Sequence, residues 1–121
     1  MKPNFISVGA TCAALGVALG AFGAHGLRDR VGAPELALWE TATRYFVIGA
    51  FGVLLYGLFD RKSEHSDWPG WLLLVGSGLF AGSLYALALG APRFLGLVTP
   101  FGGLGLIAGF LSFALAARRR G

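Results

Sequence analysis

Long stretches without a charged residue dominate the chain. No Asp, Glu, Lys or Arg occurs from Pro3 to Leu27, Tyr45 to Phe59, Trp68 to Pro92 or Phe94 to Ala117, runs of 25, 15, 25 and 24 residues. Crossing about 30 Å of hydrocarbon takes roughly 20 helical residues. Three runs reach that length alone. The second does not, so its helix must begin earlier and draw Glu40 and Arg44 towards the membrane. The pattern predicts a single all-α domain, a bundle of four transmembrane helices over about 4–25, 34–59, 69–89 and 100–117.

Local residues support these bounds. Arg28-Asp29-Arg30 is a polar connection, and Pro34 with Glu35 suits a helix start. Leu36, Trp39, Thr43 and Phe46 fall on one helical face. Asp60 to Asp67 forms a hydrophilic loop, and Gly90-Ala91-Pro92 ends the third helix. A residue before proline avoids the α conformation, so Thr99 is expected as the N-cap of the fourth helix and Pro100 as its first residue.

Composition agrees with a membrane protein. Apolar residues make up 55% of the 121 positions and charged residues 13%, with a mean hydropathy of +0.68. A soluble domain of this size could not bury so much apolar surface. The net charge of +4 does not indicate a nucleic-acid partner, because the arginines flank the spans and end in Arg118-Arg119-Arg120. The first run exceeds the apolar core of a secretory signal, which favours a retained helix. Cys12 is the single cysteine and reads as a small apolar packing residue. Lys2, Arg61, Lys62 and Arg118 to Arg120 lie on one side, against Arg28, Arg30, Arg44 and Arg93 on the other. Six cations against four favour a plasma (inner) membrane protein with both termini on the same, cytoplasmic side. Trp68 and Trp71 would mark the inner interface and Trp39 the outer one.

Twenty glycines suggest how the helices meet. Gly9, Ala13, Gly16, Gly20 and Gly23 make one stripe, Gly78, Gly82, Ala86 and Gly90 another, and Gly105 with Gly109 a third. Lipid gives helices no hydrophobic reason to associate, so close backbone approach must hold them. Such stripes are expected as internal seams, with a homo-oligomer contact as the second use.

Polar groups at membrane depth are costly and point to function. Four clusters qualify: His25 with its glycine neighbours, Glu40 to Tyr45, Ser83 with Tyr85, and Thr99 to Gly103. An up-down topology would bring all four into one layer of the outer half. Glu40 and Arg44 have the i,i+4 order of a helical ion pair. The amides after Thr99, left open by Gly102 and Gly103, could attract an anion beside Arg44 and His25. The candidate binding set is therefore His25, Glu40, Arg44, Tyr45, Ser83, Tyr85, Thr99, Gly102 and Gly103. No nucleophile–base pair, metal-ligand spacing or cofactor motif is present. His25 and His65 are expected on opposite sides, so no enzyme, metal or cofactor is expected.

The motifs GAFGAHGL (Gly20 to Leu27), WETATRY (Trp39 to Tyr45), LFAGSLYALALG (Leu79 to Gly90) and LGLVTPFGGLGLIAGF (Leu95 to Phe110) resemble the domain-of-unknown-function family DUF423. Its members are small, mostly bacterial inner-membrane proteins of the YgdD/YwdK type. The resemblance spans roughly Phe5 to Leu115 and implies a polytopic membrane protein without supplying a chemistry. The chain departs from the family at Gly49, where a histidine is frequent, and at Ala81, where a serine is frequent. The expected function is binding of a membrane lipid headgroup, small anion or membrane partner. A small transporter or channel built from several copies is the alternative.

Overall fold

The computed structural model describes residues 3–120, with the side chain of Arg120 excepted. Lys2, one of the cations in the charge balance, lies outside the described residues, as does Gly121. Helix α1 (Phe5–Phe22) starts behind Asn4, whose Oδ1 accepts from the Ser7 N–H at 3.1 Å. That bond satisfies a first-turn amide with no helical partner. The helix continues into a π-turn over Gly23–Leu27, making a first span of 23 residues, and the expected end at His25 falls inside this turn.

Helix α2 (Ala33–Phe59) has Pro34 in its first turn, where no N–H is required. Its 27 residues extend about 40 Å at 1.5 Å each, longer than the hydrocarbon. Glu40 and Arg44 therefore lie in the extra turns that the short charge-free run demanded. Helix α3 (Trp68–Ala88) closes at Gly90, which adopts φ +97°. The Ala91 N–H donates to the Ala86 carbonyl at 3.0 Å and the Gly90 N–H to Leu87 at 3.1 Å. This crossed pair of bonds needs a left-handed residue, which glycine supplies without strain.

Helix α4 (Val98–Arg120) corrects the expected start at Pro100. A 3₁₀ turn over Arg93–Leu97 leads directly into it, with the Val98 N–H bonded to the Leu95 carbonyl. Pro100 is the third helical residue rather than the first. The first turn of a helix has amides without intrahelical partners, so a missing N–H costs nothing there either. Thr99 lies inside the helix and caps nothing.

All four helices are long and apolar enough to cross a membrane, and no strand occurs among the described residues. Each packs antiparallel on the next. Gly9 of α1 faces Leu54 of α2, Gly16 faces Val47, and Gly23 faces Trp39. Gly49 and Gly52 of α2 meet Ser77 and Leu73 of α3, while Gly76 and Phe80 of α3 meet Leu106 and Gly102 of α4. Helices α1 and α4 do not pack on each other along their lengths. The bundle is thus a curved row with two central and two flanking helices. Phe5 of α1 and Phe113 of α4 converge on Tyr56, with ring centroids 6.1 and 5.2 Å away. Tyr56, Val53, Leu73, Leu106 and Phe5 form the largest buried core.

The α1 stripe lies against α2, but the α3 stripe does not serve as a seam. A Cβ added at Gly78 or Gly82 would meet nothing within 4 Å. Gly76 and Ser77 make the contacts instead. Residues 76 and 78 are about 200° apart around a helix, so seating one exposes the other.

Candidate functional site

The four polar clusters meet at one end of the bundle, through Gly23 against Trp39, the Thr43–Tyr85 bond and the Ser83–Thr99 bond, but they do not share one pocket. They divide into two buried ties on different flanks of α3 and an open cleft between α1 and α2.

The first tie is built on Trp39. It was expected to mark an interface, yet it is only 5% exposed. Its Nε1–H donates to the Leu19 carbonyl at 2.8 Å, near the end of the regular part of α1. Gly23 permits this position, because a Cβ there would lie 2.5 Å from the indole Cδ1. Tyr85 packs on the indole with centroids 4.3 Å apart, and Phe22 approaches at 5.5 Å. Tyr85 Oη and Thr43 Oγ1 share a hydrogen bond of 2.7 Å. Three helices are thereby joined, and each buried polar group has a partner. Trp39 and Thr43 are the residues sequence reasoning underrated. Their shared face with Leu36 and Phe46 was the available sign.

The second tie joins α3 to α4. Ser83 Oγ donates to the Phe80 carbonyl at 3.0 Å, so the Thr99 hydroxyl donates to Ser83 Oγ at 2.5 Å. Gly102 lies directly on the Phe80 backbone, and Gly103 lies near the Phe80 ring. The expectation of open amides after Thr99 is therefore corrected. Helix α4 begins early enough to engage the Gly102 N–H with Val98, four residues back. The space left by the missing Gly102 side chain is filled by α3.

The remaining residues face outward. His25 is exposed on the π-turn. Tyr45 is exposed and meets Phe80 edge-on at 5.2 Å. Glu40 and Arg44 are both exposed, and among the described residues neither has a side-chain hydrogen bond or an ion pair. The expected intrahelical pair is not formed. Both instead line a cleft of about 250 Å³ between α1 and α2, together with Gly20, Gly23, Trp39 and Thr43. The glycines lower one wall, and the Trp39–Tyr85–Thr43 tie makes the other rigid. A cationic and an anionic group thus stand one helical turn apart on the rim of a mostly apolar cleft. Such an arrangement can accept a phosphate through Arg44 and an ammonium through Glu40. Among the described residues no group of three His, Cys, Asp or Glu side chains could hold a metal.

Comparison with known sequences agrees with this architecture. The family profile described as "Protein of unknown function (DUF423)" matches residues 19–103. The chain belongs to this family. It is 44% identical over 113 residues to a UPF0382 membrane protein of Staphylococcus epidermidis, covering 93% of each chain. A UPF0382 membrane protein of Staphylococcus haemolyticus is 42% identical over 113 residues, again 93% of each. The UPF0382 membrane protein YwdK of Bacillus subtilis is 39% identical over 116 residues, 93% of this chain and 94% of that one. No solved structure matches the chain. This DUF423 chain is accordingly a membrane protein whose relatives carry no described activity. The matched region contains both ties and the cleft.

Proposed function

We propose that this DUF423 protein is a non-enzymatic plasma-membrane protein, with both termini in the cytoplasm, that holds one phospholipid headgroup in the outer-half cleft between α1 and α2. The observation that carries the reading is the unpaired placement of Glu40 and Arg44 on the rim of that 250 Å³ cleft. An exposed pair one turn apart on a helix would gain about 0.3–0.5 kcal/mol by closing on itself. Leaving it open is a small cost that a ligand carrying both charges would offset. In this reading Arg44 takes the phosphate and Glu40 a headgroup ammonium, as in phosphatidylethanolamine. Ser83, Tyr85, Thr99, Gly102 and Gly103 act at a distance by fixing α3 against its neighbours. His25 and Tyr45 lie outside the cleft lining.

The test is native mass spectrometry of the full chain released from nanodiscs of mixed lipids. Phosphatidylethanolamine should be retained over phosphatidylcholine, and Arg44→Gln should lower that retention about tenfold. Glu40→Gln should remove the preference between the two lipids. A small anion as the true ligand would show as displacement of lipid by sulfate or phosphate. Retention unchanged in Arg44→Gln would sink the proposal. The alternative, a transporter or channel of several copies, draws on the open face at Gly78 and Gly82. Disulfide crosslinking of Gly78→Cys in a Cys12→Ala background tests whether copies meet there.

A further inference from the structure

The other end of the molecule carries a second cleft, with a different chemistry. The loop over residues 60–67 is held firmly. Asp60 Oδ1 accepts from the backbone N–H groups of Glu64 and His65, both at 2.9 Å, and lies 3.0 Å from His65 Nδ1. The His65 ring lies on Phe59 at 4.8 Å, and Tyr56 Oη donates to the Ser66 carbonyl. Between this loop and the last turns of α4 is a cleft of about 290 Å³. Arg119 and Ser66 stand on its polar side, and Leu115, Pro69 and Trp68 form its apolar side.

Three features agree on what would fill it. Arg119 is exposed and has no ion-pair partner among the described residues, which leaves its planar fork of donors available. Ser66 Oγ accepts from the Trp68 N–H at 3.3 Å, so its own hydrogen remains to be donated. Trp68 is 71% exposed and Trp71 43%, a placement suited to the headgroup level of a bilayer. At the same end Arg61, Lys62, Arg118 and Arg119 outnumber Asp60, Glu64 and Asp67, and the net positive charge favours a ligand of net negative charge over a zwitterion.

We infer that this cleft seats an anionic phospholipid, its phosphate held by Arg119 and the Ser66 hydroxyl, its acyl chain lying along Leu115 and Trp68. The apolar wall distinguishes this ligand from a soluble phosphate, which would leave that wall in water.

The experiment uses the full chain in detergent with added phosphatidylglycerol, phosphatidylcholine or glycerol 3-phosphate, read by native mass spectrometry. Phosphatidylglycerol should bind at least fivefold better than phosphatidylcholine. Arg119→Gln should lower its binding at least fivefold, and Ser66→Ala about threefold. Arg118→Gln removes the same charge one position away, outside the cleft lining, and should change binding by less than twofold. Arg44→Gln should leave it unchanged, which separates this site from the outer cleft. Equal losses in Arg118→Gln and Arg119→Gln would mean diffuse attraction and overturn the assignment. Displacement of phosphatidylglycerol by equimolar glycerol 3-phosphate would overturn the lipid as the ligand. Unchanged thermal unfolding of each variant establishes that the losses are local.

Discussion

Replacing Gly76 by alanine should destabilise the protein, while the same change at Gly78 should not. A Cβ at Gly76 would sit 2.5 Å from the Leu106 nitrogen and 2.7 Å from the Gly105 carbonyl carbon. Both are backbone atoms, so no side chain can swing aside. Restoring an ordinary 3.4 Å contact requires α4 to retreat by about 0.9 Å. Helices α3 and α4 form the most extensive interhelical contact of the fold. A gap of that size forfeits roughly a quarter to a half of each dispersion contact across it. Overpacking of this kind costs about 1–3 kcal/mol. Alanine's higher helix propensity offsets about 1 kcal/mol of that, leaving a net loss of up to about 2 kcal/mol. At Gly78 nothing lies within 4 Å, so only the propensity gain remains. Equilibrium unfolding in mixed micelles with increasing dodecyl sulfate would measure both variants against the parent. If Gly78→Ala proves the less stable of the two, the rotation of α3 described above is wrong.

Gly90→Ala should cost about 1–2 kcal/mol in the same assay, because φ +97° at that position strains any residue with a Cβ. A double-mutant cycle of Tyr85→Phe and Thr43→Val should give a coupling of about 0.6 kcal/mol, and at most about 1.7, for the 2.7 Å bond between them; no coupling would mean that water or lipid replaces it freely. Asp60→Ala strips its partner from two backbone N–H groups and should cost about 1–3 kcal/mol, with faster hydrogen exchange at Glu64 and His65 as the local readout. In a Trp68→Phe, Trp71→Phe background, Gly23→Ala should shift Trp39 emission, since its methyl would meet the indole at 2.5 Å.

Much of the backbone plan was legible in the residues. Charge-free runs located the spans, and Pro34, Pro69 and Gly90 mark ends that the chain uses. The shortfall of the second run explained why α2 begins among polar residues. Thr99-Pro100 misled, because proline is tolerated anywhere in a helix's first turn and a preceding 3₁₀ turn can supply the winding. The candidate site was legible as a set of residue types and a depth. Its division was not. Ser83 and Tyr85 stand about 200° apart on α3, so one reaches α4 and the other α2.

The number, length and order of the spans follow from sequence alone, because hydrocarbon accepts only long uncharged helical runs. The rotation of each helix about its own axis belongs to the tertiary structure. In a soluble protein an apolar stripe would reveal that rotation. Here lipid and neighbouring helices are equally apolar, so both faces carry Ala, Gly, Leu and Phe. Only packing decided that Gly76 rather than Gly78 seats α4, that Trp39 is buried, and that Glu40 and Arg44 share a cleft instead of a bond.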